Sequence, residues 1–524
     1  PILKLENNIK KINYLIVILA VFGSYIAFLS VDNKTNYSSS DKINFLLRKI
    51  QKNYVDSVDI NSLVESSIEQ TLNKLDPHST YLNSEQFSSS MELMQGSFEG
   101  IGVEFSIKND SIVIMNVIPG GPSQKKGLIS GDRIISVEGE NVAGVGITND
   151  KVIEKLRGKR GTIVEIGVKN NILDNVRYVS IKRDKIPLKS IDVSYEIAPQ
   201  VGYIKINRFA ETTHEEFRLE LKKLINNFEI DNLIIDLRGN GGGYLDQATK
   251  ILNEFFGNNE LLVFTKGNSR KMREYRANFL GLYKFGGLCI LIDEESASAS
   301  EIIAGAVQDH ERGFVVGRKS FGKGLVQEQM MLDDGSVLRL TVARYYTPLG
   351  RCIQKPYDYD SDIFKTDNLK NSVGNDSIRK FLTKNGKEVY DGGGIEPDKL
   401  IAKTKSELPP SILLLMSSIF YNDLAFNYVD SLRNYLSKVD FMNFEINEND
   451  EKKYLKDIKT WMTKEMDGIY STEKIIEDIN NSKSFVIKRL NMLIIRQHWG
   501  WSEMQMFSNK DDEFISSSLY LLKN

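Results

Sequence analysis

The hydrophobic pattern changes character along the 524-residue chain, and each change marks a different predicted element. Near the start, Ile12 to Val31 form an uncharged run of about 20 residues, long enough to cross a bilayer core of ~30 Å. Lys10 and Lys11 precede it, which favours a membrane anchor with its positive flank in the cytoplasm. Small residues at Gly23 and Ser24 leave a cleaved signal peptide as the alternative. In either case we expect the rest of the chain to be exported.

Helical spacing dominates two further regions. From 41 to 95, after a polar tether that ends near residue 40, apolar positions recur every three or four residues, which predicts an N-terminal helical region. The same spacing from 405 to 524, in segments rich in Asn, Lys and Glu, predicts a C-terminal helical domain. We expect that domain to serve packing or partner binding, because it contains no recognisable chemistry.

Short strands dominate the chain between these helical regions. From 96 to 184 they alternate with glycine-rich turns and one short amphipathic helix, which predicts a small β-domain. From 185 to 404, apolar runs such as Leu233–Leu237 alternate with helical patterns such as Thr213–Phe228, which predicts an α/β core. The predicted fold class is therefore multidomain, mixed α+β and α/β.

The stretch from Gly286 to Gln327 is the most informative in the chain. An apolar strand near 288–292 leads into Ser296-Ala-Ser-Ala-Ser-Glu301, and an apolar helical pattern follows at once. Such a strand-to-helix turn presents side chains and uncovered backbone N–H groups to one point. A second apolar strand, 313–317, then leads into Phe321-Gly-Lys-Gly324.

These two turns predict a serine nucleophile with a lysine base. A serine hydroxyl needs a neighbouring base, which in most hydrolases is a histidine. None of the four histidines lies in a comparable glycine-rich turn; they are His78, His214, His310 and His498. Burial lowers the pKa of a lysine toward neutrality, and the glycines beside Lys323 let the backbone press it into a packed site. Ser298 and Lys323 therefore form a Ser/Lys dyad hypothesis.

These motifs resemble the C-terminal processing peptidases, or tail-specific proteases, of the S41 serine-peptidase family. The resemblance implies that Ser298 is the nucleophile, that Lys323 is the general base, and that Gln327 orients the lysine. Further matches are the Leu75-Asp-Pro-His-Ser79 turn, the segment from Tyr345 to Arg351 and the closing turn that ends at Asp398, so the likeness runs through most of the chain between anchor and tail. It also implies that His78 is a structural turn residue.

The same resemblance implies an oxyanion hole at a glycine loop. Gly239-Asn-Gly-Gly-Gly243 follows the strand that ends in Asp236-Leu-Arg238. In the family such a loop supplies half of the hole, which we assign to the N–H of Gly242, with the N–H of Ala299 as the other half. The family usually has proline where this chain has Gly241.

The order of strands and turns from 96 to 184 resembles a bacterial, protease-associated PDZ domain. The resemblance implies that the loop Gly100-Ile101-Gly102 holds the carboxylate of a protein C-terminus while the tail adds as a strand. Arg157, at the exit of the PDZ helix, is expected to sense bound peptide and to align the catalytic site.

One alternative is a nucleotide-binding loop. Gly317-Arg-Lys-Ser-Phe-Gly322-Lys323 fits the start of a phosphate-binding P-loop, but Gly324 stands where Ser or Thr should hold magnesium. Another alternative is a PDZ scaffold that binds tails without cutting, which the loss of either dyad residue would have favoured.

The composition of the chain gives no sign of a nucleic-acid partner. Lys+Arg 68 against Asp+Glu 70 leaves the chain near neutral, and no basic patch with interleaved aromatic residues indicates nucleic-acid binding. We expect a serine endopeptidase of the bacterial cell envelope, anchored in the inner membrane and facing the periplasm, or exported to it, that needs no metal or other cofactor. Its expected partners are proteins with exposed C-terminal tails, with an adaptor protein and a homo-oligomer left open.

Overall fold

A computed structural model of the chain describes residues 16–17, 39–169, 175–278, 281–357, 378–403 and 408–523. The chain divides into two units, Pro1–Thr71 and Leu72–Asn524. In the first unit, helix α1 spans Ser39–Asn53 and is followed by α2, Ile60–Asn73, which ends just past the boundary. Apart from residues 16–17, the predicted anchor at 12–31 lies outside the described residues.

The second unit begins with a linking region and a small antiparallel β-domain. In chain order its elements are β1 (Thr80–Leu82), α3 (Ser84–Gln95), β2 (Ser97–Gly100), β3 (Val103–Lys108), β4 (Ser111–Val117), α4 (Pro122–Lys125), β5 (Arg133–Val137), β6 (Glu140–Asn141), α5 (Asn149–Leu156), β7 (Ile163–Lys169), β8 (Arg177–Lys182) and β9 (Asp184–Pro187). The sheet has the strand order β3-β4-β5-β7-β8, with β6 paired to β5. Val152 and Leu156, one turn apart on α5, are buried against this sheet. Strands β2 and β9 pair with Ser97 opposite Pro187, so the two ends of the β-domain lie side by side.

The core that follows alternates strands and helices. Its elements are β10 (Ile191–Ala198), β11 (Val201–Ile206), α6 (Thr213–Phe228), β12 (Asn232–Asp236), α7 (Leu245–Asn253), β13 (Leu261–Lys266), β14 (Arg273–Arg276), β15 (Gly287–Ile292), α8 (Ala299–Asp309), β16 (Phe314–Gly317), β17 (Leu325–Met331), β18 (Val337–Tyr346), β19 (Lys380–Leu382), β20 (Glu388–Tyr390) and β21 (Lys399–Leu400). The central sheet has the order β10-β11-β12-β15-β16-β21 and is parallel from β11 onward. Its inner strands, β11, β12, β15 and β16, are mostly apolar because both faces of the sheet are covered, one of them by residues of α6, α7 and α8. The carboxyl ends of β12 and β15 therefore lie side by side at one edge.

A second sheet carries the hairpin that follows the lysine turn. Its order is β1-β18-β13-β14, with β17 also paired to β18. Strand β1 lies inside the region 41–95 that the sequence predicts to be helical. That prediction is wrong at this point, because residues 80–82 have β18 as a hydrogen-bonding partner, with Tyr81 opposite Leu338. Pairing with a strand more than 250 residues away is a tertiary effect that local spacing does not carry.

The C-terminal region is helical. Its elements are α9 (Pro410–Ser417), α10 (Ile419–Leu436), a 3₁₀ turn (Phe441–Asn443), α11 (Glu448–Glu465), α12 (Thr472–Asn481), α13 (Lys483–His498), α14 (Trp501–Ser508), a second 3₁₀ turn (Asn509–Asp511) and α15 (Glu513–Lys523). Among the described residues no single helix is long and apolar enough to cross a membrane, although α9 and α10, bent by 55°, pass that test as a pair. Most of these helices share one apolar cluster. The last helix instead covers the second face of the core sheet, where Phe514 and Ile515 pack with Tyr203, Ile234 and Leu291.

One face of α10 contacts the β-domain. Asp423 pairs with Lys108 at 2.6 Å, and Asp430 pairs with Arg133 at 3.0 Å. Phe426, between these two acids, is buried but lies outside the apolar cluster of its own helical region. Positions 423, 426 and 430 recur at helical spacing, so this face of α10 is committed to the β-domain.

Candidate active site

Ser298 occupies a strained turn between β15 and α8. Its backbone has φ 55° and ψ −110°, and a positive φ is costly for any residue other than glycine. The turn is held from below by Asp293, whose Oδ1 accepts hydrogen bonds from the main-chain N–H groups of Gly239 and Ser296. The sharp turn places the serine at the N-terminus of α8, at the edge where the core strands end.

Lys323 lies in the loop between β16 and β17, and its amine is directed to Gln327. Its Nζ donates to Gln327 Oε1 at 3.3 Å. Among the hydrogen bonds of the described residues none joins Lys323 Nζ to the hydroxyl of Ser298, so transfer of the serine proton requires the amine to turn. The Tyr345 hydroxyl lies within hydrogen-bonding distance of the main-chain oxygens of both Ser298 and Lys323. The two turns therefore share a buried tyrosine.

Glu301 joins the serine turn to the lysine loop more directly. Its Oε2 accepts from the main-chain N–H of Ser298 at 2.8 Å and from that of Lys323 at 2.9 Å. Its Oε1 accepts from Ser320 Oγ at 2.6 Å and from the N–H of Gly322 at 2.7 Å. Burial raises the pKa of this fully buried carboxyl to about 7, although all four hydrogen bonds favour the ionised form. One carboxylate thus fixes the serine turn and the lysine loop in a single arrangement.

The glycine loop lies directly against the serine turn. A Cβ on Gly242 would stand 2.8 Å from Ser298 Cβ and 3.0 Å from the nitrogen of Ala299. The predicted oxyanion residues Gly242 and Ala299 are therefore neighbours of Ser298. The N–H of Gly242 donates to Asn240 Oδ1 at 2.9 Å in this structure, so it must leave that acceptor to serve an oxyanion. Ala299 is the first residue of α8, where an N–H has no acceptor within the helix.

The turn that contains His78 supports Gln327. The amide nitrogen of Gln327 donates to the main-chain oxygen of His78. Asp76 shapes that turn by accepting from the N–H groups of His78 and Ser79, both at 2.8 Å. The structure thus places His78 where the resemblance implied, in a turn that holds Gln327 through its main chain.

The surroundings of Lys323 shift its protonation equilibrium toward the neutral amine. Burial lowers the pKa of Lys323 below its ordinary value of 10.5, and the positive charge of Arg339 lowers it further, while Asp76 and Glu301 act in the opposite direction. Burial and the charge of Lys323 lower the pKa of His78 to about 4. A neutral amine is the form that accepts a proton from serine.

The predicted tail-binding residues lie together in the β-domain, in the connection between β2 and β3. The main-chain oxygen of Ile101 accepts from both the N–H and the hydroxyl of Ser123, which fixes the loop. Gly102 has φ +78°, a conformation that glycine adopts without strain. Strand β3, which follows the loop, lies at the end of the sheet order, so an added strand has an edge to pair with.

Arg157 lies at the C-terminal end of α5. Its guanidinium pairs with Glu92 of α3 at 2.6 Å and lies over the ring of Phe98 at 4.9 Å. These contacts link the helix of the β-domain to α3. The structure does not bring Arg157 together with Ser298 or Lys323 by any contact among the described residues.

Sequence reasoning missed the roles of Glu301 and Asn240. The spacing Ser298-x-x-Glu301 is that of a helix capping box, a signal that was available in the sequence. The second role of Glu301 is to accept a hydrogen bond from the main-chain N–H of Lys323. That contact forms only because the loop after β16 folds back against the start of α8. Asn240 is fully buried, and nothing in its sequence context distinguishes it from an ordinary turn residue.

The nucleotide-loop alternative is wrong. The N–H groups of Gly322 and Lys323, which would have to face a phosphate, donate to the Glu301 carboxylate. Strand β17 follows the lysine, whereas a P-loop opens a helix.

Comparisons with known proteins identify families for the β-domain and for the α/β core. The model of peptidase family S41 matches residues 200–363, and a PDZ domain model matches 113–170. The chain is 33% identical over 331 residues to the carboxy-terminal-processing protease of Bartonella bacilliformis, covering 62% of this chain and 75% of that relative. It is 36% identical over 319 residues to the carboxy-terminal processing protease CtpB of Bacillus subtilis, covering 60% of this chain and 65% of that relative. The solved PDZ domain of a carboxy-terminal protease from Vibrio cholerae, in complex with peptide, is 39% identical, covering 18% of this chain and 99% of that one with a TM-score of 0.16.

Proposed function

Because this chain belongs to peptidase family S41, and is a serine-type peptidase with a PDZ domain, we propose that Ser298 and Lys323 are its catalytic dyad. The observation that carries the proposal is the carboxylate of Glu301, one oxygen of which accepts from the main-chain N–H groups of both residues. A shared acceptor keeps the two turns adjacent, which is the condition for proton transfer between their side chains.

In the proposed reaction the uncharged amine of Lys323 turns from Gln327 to the hydroxyl of Ser298 and removes its proton. Ser298 Oγ attacks the carbonyl carbon of the scissile bond, and the resulting oxyanion is stabilised by the N–H groups of Gly242 and Ala299. The protonated lysine returns its proton to the leaving amine as the carbon–nitrogen bond breaks. Water then hydrolyses the acyl-enzyme, with Lys323 as base again and Gln327 as the group that orients it.

We further propose that the substrate is recognised by its C-terminal tail. The loop of Gly100, Ile101 and Gly102 would hold the terminal carboxylate, and the tail would pair along β3. Arg157 would couple a bound tail to the catalytic core through α3. The uncharged run at 12–31 supports a location in the bacterial cell envelope, with the catalytic region on the exported side, where an adaptor protein or a second copy would also act.

The test compares the purified full chain with its Ser298→Ala and Lys323→Ala variants on a poorly folded protein that ends in an apolar tail. We expect the rate of cleavage to fall by at least about 10³-fold in both variants. Ser298→Ala removes the attacking hydroxyl, and Lys323→Ala removes the group that takes its proton. Lys319→Ala is the matched control, since Lys319 lies in the same loop but is exposed at its side chain. Equal cleavage by all four proteins would refute the dyad.

A further inference from the structure

One arginine beside the proposed catalytic groups has no carboxylate partner among the described residues. Arg339 lies on β18, and its guanidinium donates to Ser90 Oγ at 3.2 Å. Within the described part of the chain no Asp or Glu oxygen forms an ion pair with it. Its side chain is partly buried, and burial lowers its pKa. A guanidinium carries five N–H donors, so this group keeps the capacity to hold a carboxylate by two parallel hydrogen bonds.

Strand pairing places Arg339 on the same face of β18 as the residue opposite Gln327. Thr341 of β18 lies opposite Gln327 of β17, and Arg339 lies two residues before Thr341, on the same face of the strand. The charge of Arg339 acts on Lys323 and on the hydroxyl of Tyr244, the residue that follows the glycine loop. The guanidinium is therefore within electrostatic range of Lys323 and of the residue that follows the glycine loop.

Two acids on elements that adjoin Arg339 are engaged elsewhere. Asp76 accepts hydrogen bonds from the N–H groups of its own turn and from Thr341 Oγ1. Glu92, on the same helix as Ser90, is paired with Arg157 at 2.6 Å. Neither acid neutralises Arg339 in this arrangement.

We propose that Arg339 binds a carboxylate of the substrate beside the scissile bond and gives the peptidase a preference for an acidic group there. The inference rests on the proposed function and adds a specificity residue to it. The carboxylate belongs either to an Asp or Glu side chain or to the C-terminus of a short peptide. Both sources offer the planar pair of oxygens that the guanidinium matches.

The experiment measures kcat/KM on two series of fluorogenic peptides. In the first, all peptides end in an amide, and Asp or Glu is compared with Asn or Gln at each of the three positions on either side of the cleaved bond. In the second, the residues near the bond are neutral, and a free C-terminus at different distances is compared with an amide. Each series is run on the wild type and on Arg339→Gln, Arg339→Lys and Arg276→Gln. The last is the matched control, because Arg276 lies on the edge strand β14 and is exposed at its side chain.

We expect the wild type to prefer the carboxylate about tenfold at one position, the range of one charge-assisted hydrogen bond. This ratio should fall to near one in Arg339→Gln, stay intermediate in Arg339→Lys and be unchanged in Arg276→Gln. Which series shows the preference identifies the source of the carboxylate.

Two outcomes would overturn the inference while leaving the proposed function intact. One is Ser298-dependent cleavage by the wild type with no carboxylate preference in either series. The other is an Arg339→Gln variant that loses acidic and neutral peptides equally and shifts the acid limb of the pH–rate profile, which would show that Arg339 acts through the charge of Lys323. Cleavage that does not depend on Ser298 would instead remove the proposed function, and the inference with it.

Discussion

The side chain of Glu301 connects the serine turn to the lysine loop, which neither segment does by itself. A serine on a strained turn and a lysine in a glycine-flanked loop are separate local features, and the four donors around this carboxylate join them. Its pKa of about 7 shows that burial opposes the charge that these donors require. Because the pKa of Glu301 is raised in the folded state, ionisation of Glu301 lowers the free energy of unfolding as the pH rises through that value. This loss of stability falls on the residue that holds the two turns together.

Replacing this carboxylate tests the arrangement. Glu301→Gln puts an amide nitrogen where an oxygen accepts two N–H groups, so one pair of donors faces another donor. We expect kcat to fall about 10²-fold through misplacement of the two turns, and the free energy of unfolding to fall by about 1–3 kcal/mol. Steady-state kinetics and chemical denaturation measure the two effects. Glu295→Gln, in the same turn but exposed, is the control, and equal kcat in both variants would contradict the role.

The pH dependence follows from the direction of the shift at Lys323. Its pKa lies below 10.5, and only the neutral amine acts as base, so kcat/KM should decline as the pH falls through the lowered pKa. The same protonation should lower the free energy of unfolding, because a depressed folded pKa removes stability on the acid side. His78, with a pKa of about 4, adds no limb near neutrality. A pH–rate profile checks this. Because Glu301 has a pKa of about 7, a limb that disappears in Glu301→Gln, or one that moves in His78→Gln, would count against Lys323.

Two neighbouring glycines give a paired test of the oxyanion loop. Gly242 has φ +100°, and a Cβ there would meet the oxygen of Ala297 at 2.7 Å, whereas a Cβ on Gly241 would meet nothing within 4 Å. Gly242→Ala should therefore reduce kcat about 10²-fold, and Gly241→Ala should stay close to the wild type. Similar kcat values for the two variants would show that the N–H of Gly242 does not take part in catalysis.

Strand β3 and the loop before it are the element on which the proposed binding of C-terminal tails depends. The loop is held by Ser123 through the oxygen of Ile101, and β3 lies at the end of its sheet. The element offers both a rigid turn for a carboxylate and an edge for a strand, which are the two parts of strand addition.

A glycine pair tests this element as well. Gly102 and Gly120 have φ +78° and +75°, but a Cβ on Gly102 would stand 3.1 Å from Ile186 Cδ1, while one on Gly120 would have no neighbour within 4 Å. Gly102→Ala should weaken binding of a peptide with a free C-terminus about tenfold or more, and Gly120→Ala, with equal backbone strain, should not. Fluorescence anisotropy with a labelled tail peptide and its amidated form measures this. Equal affinity for the two forms in the wild type would contradict carboxylate recognition.

The C-terminal helices connect the PDZ domain to the catalytic core. Helix α10 pairs with Lys108 and Arg133 of the PDZ domain, and α15 covers the far face of the core sheet. A salt bridge of 2.7 Å from Asp512 to Arg238, next to the glycine loop, adds a second link to the core. The helical region therefore contacts both the PDZ domain and the catalytic core, and we expect it to restrict how the two move relative to each other.

Charge exchange tests the contact between α10 and the PDZ domain. Asp430→Lys places a cation beside Arg133 and Arg433 and should loosen the PDZ domain, seen as faster hydrogen exchange in residues 103–137. The double variant Arg133→Asp with Asp430→Lys should recover most of the protection, with a coupling of about 1 kcal/mol for a partly exposed pair. Lys452→Asp, on the exposed face of α11, is the control. Absence of recovery in the double variant would show that the pair does not hold the domain.

Local patterns were enough for much of this protein. Short apolar runs and helical spacing predict the alternating core, since a strand buried on both faces and a helix buried on one leave periodic traces in the chain. The motifs around Ser298 and Lys323 predict the serine peptidase family because their residue types carry the chemistry in themselves. Strand β1, the partners of Gln327 and the double role of Glu301 were decided only in the folded chain, because each depends on segments far apart in sequence. The surroundings of Arg339, which include no carboxylate partner among the described residues, were also decided only in the folded chain, because they depend on which distant segments pack beside it.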